Sequence, residues 1–181
     1  MSIDKTIERS VLSAASANDL TSYYIVNHGL GAFLYLGIDK HPGDSRYAWI
    51  KQGDCDLSLE RFHWKITQHG YKSFSIVNYS NDSNGGLFES SDFLVDEFAN
   101  RIVGTYNYIT SGVDDRYIFT TENVSDNSNI VYLQTSSKRY IGASKKADGL
   151  DHQVMALFDK DKPGASDYNY LWYFVPIPVF T

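Results

Sequence analysis

The feature that most narrows what this chain can become is a repeat of about 54 residues. Phe62-His63-Trp64-Lys65-Ile66-Thr67 is a short apolar-polar alternation with tryptophan in its second apolar place, and Leu171-Trp172-Tyr173-Phe174-Val175 is a related aromatic stretch near the end of the chain. The two tryptophans lie 108 residues apart, which is two such periods, and Tyr117-Ile118-Phe119-Thr120 falls near the midpoint. A fixed period of this length signals a fold built from copies of one unit. Three further sets keep the same order. Tyr23-Tyr24-Ile25-Val26-Asn27 is echoed by Phe74-Ser75-Ile76-Val77-Asn78 and more faintly by Asn129-Ile130-Val131-Tyr132. Tyr35-Leu36-Gly37 is echoed by Tyr140-Ile141-Gly142, with Leu87-Phe88-Glu89 between them. Ala48-Trp49-Ile50, Ile102-Val103-Gly104 and Val154-Met155-Ala156-Leu157 form the remaining set. Four strand signals per unit, three times over, predict about twelve short strands.

Turn chemistry bounds these strands. His28-Gly29-Leu30-Gly31 reads as a turn; it leads into another strand signal rather than a helix, so it is not a phosphate-cradling loop. His41-Pro42-Gly43-Asp44-Ser45, the Asn81–Gly86 stretch and the run from Asp159 to Asp167 read as loops. Residues 2–17 carry the one helical signal, with Ile3, Ile7, Val11 and Leu12 or Ala15 at three- and four-residue steps. The expected organisation is an N-terminal helix or lid over 1–20 and an all-β domain over 21–181, closed so that no strand edge is left bare.

The Tyr-x-Ile-x-Asn strand, glycine turn, apolar pair and Trp-bearing fourth strand together resemble the β-trefoil of ricin-B-type lectins and related bacterial haemagglutinin subunits. The resemblance covers residues 22–178 and implies a non-catalytic carbohydrate-binding module, the cell-attachment part of a toxin or haemagglutinin assembly. It departs from that family where the family keeps Gln-x-Trp. Arg61, Phe62 and His63 precede Trp64; Asn169, Tyr170 and Leu171 precede Trp172, so Asn169 alone keeps a polar sugar-facing type. Gly37 and Gly142 stand where the resemblance implies the sugar-binding aspartate.

Composition narrows the partners. A net charge of −6 and a pI near 5.2 argue against nucleic acid, which needs a basic stripe. Lys138-Arg139 with Lys145-Lys146 is a short basic run answered by Asp148 and Asp151. Cys55 is the only cysteine, so no internal disulfide is expected. Neither a signal-peptide pattern nor a membrane-length apolar run is present, so the expected location is the cytoplasm or release without a cleaved signal. The aromatic content of 15%, with Tyr 14 and Phe 10, suits half-buried sheets and binding faces.

Chemistry is scarce. Asp159, Asp161, Gly164 and Asp167 trace part of a calcium loop, but Pro163 and Tyr170 occupy the places of two ligands. Asp54 and Asp56 beside Cys55 would raise its thiol pKa, the wrong direction for a nucleophile. The five histidines lack zinc spacing, and Asp92, Asp96 and Glu97 read as an acidic face rather than a glycosidase pair. No catalytic residue, metal or cofactor is expected. Sugar sites need an aromatic face plus a few Asp or Asn acceptors. The candidates are Asp39, Asp44, Tyr47 and Trp49 in the first unit, and Asp148, Asp151, His152 and Asn169 in the third, the latter favoured because Asn169 survives. The expected partner is a glycan or glycoprotein receptor. Two alternatives stay open: a module that holds a partner protein or a second copy, and a trefoil-type protease inhibitor presenting His41-Pro42-Gly43 or Lys162-Pro163-Gly164.

Overall fold

The computed structural model describes residues 22–40, 46–78, 80, 85–89, 101–107, 114–125, 129–148, 151–156, 162–164 and 166–178. At 38–40, 46–47, 101–102, 106–107, 144–148 and 151–156 the description is of the backbone. The helix expected over 2–17 lies outside the described residues.

Among the described residues the chain forms twelve strands: β1 (Ser22–Asn27), β2 (Ala32–Lys40), β3 (Arg46–Lys51), β4 (Trp64–Gly70), β5 (Ser73–Asn78), β6 (Gly85–Glu89), β7 (Arg101–Asn107), β8 (Phe119–Asn123), β9 (Val131–Thr135), β10 (Ile141–Asp148), β11 (Asp151–Ala156) and β12 (Leu171–Pro176). Short 3-10 turns, Glu60–Phe62, Asp115–Tyr117 and Tyr168–Tyr170, come just before β4, β8 and β12. Six strands pair antiparallel in a ring, β1 to β4, β4 to β5, β5 to β8, β8 to β9, β9 to β12 and β12 back to β1. The other six form the hairpins β2–β3, β6–β7 and β10–β11, which meet one another through β3–β7, β11–β3 and β11–β7. A closed ring capped by three mutually paired hairpins is a β-trefoil. Closure removes the exposed edges that an open antiparallel sheet would present.

The strands form where apolar and β-branched residues alternate, and alternation sends every second side chain inward. The register makes the three units superimpose residue by residue. Tyr23 pairs with Trp64, Phe74 with Phe119 and Val131 with Trp172. One layer further, Ile25, Ile76 and Leu133 are all buried in the same core, with Leu34, Leu87 and Ile141 from the hairpins. The indole N–H of Trp64 donates to the Leu34 carbonyl at 3.0 Å, and that of Trp172 to the Ile141 carbonyl at 2.8 Å. Each bond fastens a hairpin to the ring, and each indole is buried. Phe119 fills the same position in the second unit without a donor.

Two registers differ from those read in the sequence. The third copy of the first strand aligns Leu133, not Ile130, with Ile76, because β9 starts at Val131 opposite Trp172. Ile141 matches Leu34 rather than Leu36, since those two carbonyls receive the indole protons. Gly142 therefore corresponds to Tyr35, and Gly37 has no glycine counterpart there.

A buried polar position breaks the symmetry. Counting two residues on from Leu34, Leu87 and Ile141 gives Leu36, Glu89 and Ala143. Glu89, 3% exposed, takes the Ser137 hydroxyl proton on Oε2 at 2.7 Å and forms an ion pair with Arg139 at 3.0 Å. Such a pair fixes how the second and third units fit together more than it adds to stability.

Because phenylalanine already occupies the matching site at Phe119, Trp64→Phe and Trp172→Phe should fold. Each removes a buried donor and some volume, so chemical denaturation should show an unfolding free energy lower by about 1–3 kcal/mol.

Candidate functional site

In each unit the residue two before the Trp/Phe64-119-172 position is aromatic and ends a 3-10 turn: Phe62, Tyr117 and Tyr170. Its ring leans on the hairpin. Phe62 meets Tyr35 with centroids 5.4 Å apart, and Tyr117 meets Phe88 at 5.8 Å. In the third unit Tyr170 lies so close to Gly142 that a Cβ there would stand 2.3 Å from its Cε1, so only glycine fits. The positions corresponding to Trp49 of β3 are Gly104 in β7 and Met155 in β11. The first unit thus gathers three aromatic residues where the second gathers two.

An open pocket of about 380 Å³ results in the first unit, lined by Tyr35, Trp49, Lys51, Asp56, Leu59, Arg61 and Phe62. Its volume falls in the range that holds a small ligand. Trp49 and Tyr35 supply apolar faces, Phe62 lies buried behind them, and Leu59, 45% exposed, forms part of the wall. Lys51 Nζ stands 6.0 Å from the Tyr35 ring centroid, a cation-π distance. Asp56 accepts from both the backbone N–H and the hydroxyl of Ser58 on Oδ1, at 3.1 and 2.6 Å, and these bonds hold its carboxyl below the usual aspartate pKa.

The loop that carries Asp56 and Leu59 is pinned at the Leu57 carbonyl. The Tyr24 hydroxyl donates to that oxygen at 3.2 Å and His63 Nε2 reaches it at 2.8 Å, so Nε2 carries the ring proton. The Tyr24 and His63 rings meet edge-on at 5.6 Å. The histidine inside Phe62-His63-Trp64 is thus a positioning residue for the pocket wall. Beneath the loop, Asn78 Nδ2 reaches the carbonyls of Glu60, Arg61 and His63 at 3.0–3.1 Å, tying the 3-10 turn to β5. Asn27 does the same for the third unit, donating to the Asn169 carbonyl at 2.8 Å. The repeated Asn of the Tyr-x-Ile-x-Asn strand is therefore an anchor for the turns.

The sequence candidates distribute unevenly. Trp49 lines the pocket. Asp39 lies in β2 and Tyr47 in β3, both placed by backbone, and Asp44 lies outside the described residues. Asp148 at the end of β10 pairs with Asp151 at the start of β11 and His152 follows in β11, again by backbone. Asn169 sits in the 3-10 turn before β12, half-buried. Tyr35, Lys51, Asp56, Leu59, Arg61 and Phe62 were not candidates. Phe62 and Arg61 stood in the altered Gln-x-Trp stretch, and the aromatic at Phe62 with Tyr35 on the facing strand was the available signal.

Other expectations can be placed too. Lys162-Pro163-Gly164 is tied to the second and third units: Lys162 is ion-paired to Glu122 and lies 4.9 Å from the Tyr132 ring centroid, and the Tyr132 hydroxyl donates to the Pro163 carbonyl at 3.3 Å. His41-Pro42-Gly43, Asp159 and Asp161 lie outside the described residues. Among the described residues no group of three His, Cys, Asp or Glu side chains is placed to hold a metal, and no helix is long and apolar enough to cross a membrane.

No protein-family description matches this chain, and no curated protein sequence does. Solved structures do. ThreeFoil, a designed threefold-symmetric protein, superposes with a TM-score of 0.64 at 14% identity, over 85% of this chain and 97% of its own. The cytolethal distending toxin of Haemophilus ducreyi gives 0.61 at 14% identity, over 88% and 85%. The BEL beta-trefoil gives 0.58 at 12%, over 89% and 96%. At these identities the likeness is one of fold. The chain is a β-trefoil protein. Its architecture agrees with the β-trefoil expected from the repeats, and its first unit bears the open aromatic pocket.

His63→Phe keeps a ring beside Tyr24 but removes the proton held by Leu57. Loss of one such bond, about 1 kcal/mol, should speed amide exchange over residues 53–59 roughly fivefold, while β4 and β5 keep their protection by mass spectrometry.

Proposed function

We propose that this protein is a non-catalytic carbohydrate-binding module whose working site is the first-unit pocket. The observation that carries the reading is the grouping of Trp49, Tyr35 and Phe62 with Asp56, Lys51 and Arg61 in one open recess. An aromatic face takes the apolar side of a sugar ring, and a few fixed polar groups meet its hydroxyls. The pinned Leu57 carbonyl favours this use, because a wall already in place does not have to be ordered on binding. The recess lies between the β2–β3 hairpin and the turn before β4, where the resemblance to ricin-B-type lectins implies a sugar site. The polar residues that family would use are exchanged for others.

The setting that fits is attachment to a glycan or glycoprotein on a cell surface, as part of a toxin or haemagglutinin assembly. A cytolethal distending toxin among the similar folds supports that setting without specifying the ligand. The third-unit candidates, Asp148, Asp151, His152 and Asn169, belong to a second sugar position under the same reading.

A glycan array at high protein concentration should give binding above background for a restricted set of sugars. Trp49→Ala should weaken that binding by tenfold or more, an aromatic contact of about 1.5 kcal/mol. Tryptophan fluorescence of the wild type should shift on titration with an array hit. An array with no signal at any sugar removes the reading.

A further inference from the structure

One charged position of the first-unit pocket is held differently from its counterparts in the other two units. Arg61, Arg116 and Asn169 occupy the same position in the three 3-10 turns. In the second unit Asp114 begins the turn, and its carboxylate grips Arg116 by three side-chain bonds of 2.9–3.2 Å. The residue matching Asp114 in the first unit is Leu59. Arg61 therefore lacks the neighbouring carboxylate, and its guanidinium makes no ion pair or hydrogen bond among the described residues. It is half-buried and lines the recess beside Lys51. Asp56 is the one carboxylate among the described lining residues, and Ser58 already occupies its Oδ1. Among the described lining residues two cations, Lys51 and Arg61, stand beside one carboxylate, in a chain whose net charge is −6.

We propose that the first-unit pocket takes an acidic sugar, a glycan unit bearing a carboxylate or a sulfate, with Arg61 gripping the anionic group. This deepens the reading of the pocket as a glycan site and rests on it. A guanidinium offers two parallel N–H donors that match the two oxygens of a carboxylate or sulfate. Trp49 and Tyr35 take the ring, Asp56 Oδ2 accepts from a ring hydroxyl, and Lys51 adds a second cation. The acidic surface of the whole chain repels such a ligand at long range, so the local cations must supply its selectivity. That makes the preference for an acidic sugar a short-range effect that survives partial screening.

The test is a fluorescence titration with matched sugars: lactose, sialyllactose and sulfated lactose, and glucose beside glucuronic acid. At least one acidic member should bind tenfold or more tighter than its neutral partner, the range expected of a charge-assisted bond. The carboxylate and sulfate arms separate the two sources of the anion. Arg61→Gln should bring the acidic sugars down to the neutral level, with a melting temperature close to that of the wild type confirming the fold. Lys51→Gln should reduce the same advantage in part. Neutral sugars binding as tightly as acidic ones, or an acidic advantage that survives Arg61→Gln, overturns this inference and leaves a glycan site without acid preference. No response to any sugar here, with an empty array, overturns the functional reading and this inference with it.

Discussion

Ring closure is the constraint on which everything else in this molecule depends. Six strands pair from β1 round to β12 and back to β1, so no strand can slip without moving its partner on each side. A shift of one residue would turn every inward side chain outward. The core answers in layers of three, with Tyr23, Phe74 and Val131 in one, and Ile25, Ile76 and Leu133 in the next. The two indole bonds then lock the β2–β3 and β10–β11 hairpins onto the ring. Because an unsatisfied buried carbonyl is costly, each bond also selects a single hairpin position.

With the ring and cap over-determined, divergence collects where the three units are only loosely coupled, in the turn before each fourth strand. The positions ending those turns show how little must change to alter a surface. Tyr170 lies down on Gly142 and covers the hairpin of the third unit, while Phe62 tilts against Tyr35 beside Trp49 and leaves a recess. Asp114 pairs with Arg116, whereas Leu59 at the matching place offers Arg61 no carboxylate. Asn27 and Asn78 hold two of the turns in matching ways, so the scaffold under the variable residues stays constant. Thr135 takes the matching place in β9, where its hydroxyl instead accepts from the Arg139 N–H at 3.2 Å.

The parts of the fold legible in the sequence were those carried by large side chains in fixed order. Trp64, Phe119 and Trp172 announce the period because only a ring fills that buried position. Where the marker is small, periodicity misleads. Ile130-Val131 looks like Ile76-Val77, yet β9 is placed by the pairing of Val131 with Trp172, a contact forty-one residues away that a local pattern cannot express. The same holds for Gly142, whose glycine answers to Tyr170 rather than to Gly37. The pocket was partly legible. Trp49 is a sugar-site candidate on a strand signal; Asp56, Leu59 and Arg61 are not, because only the folded turn brings them to it. Phe62 and Tyr35 show only their aromatic character in the sequence, and the folded turn is what brings the two rings together.

Arg61 gives the clearest case of a local rule broken for a reason that stability does not supply. A half-buried guanidinium with no ion pair or hydrogen bond among the described residues gains little from its surroundings, and the second unit shows how an aspartate two residues earlier would supply one. The first unit instead carries leucine there, which leaves the cation open and adds an apolar wall to the recess. Departures of this kind concentrate at sites kept for contact with something else. The surrounding bonds point the same way, since Tyr24 and His63 both spend their protons on the Leu57 carbonyl to hold that wall still. Under the proposed reading, a rigid wall beside a cation that pairs with none of the described residues suits a surface that meets an anion.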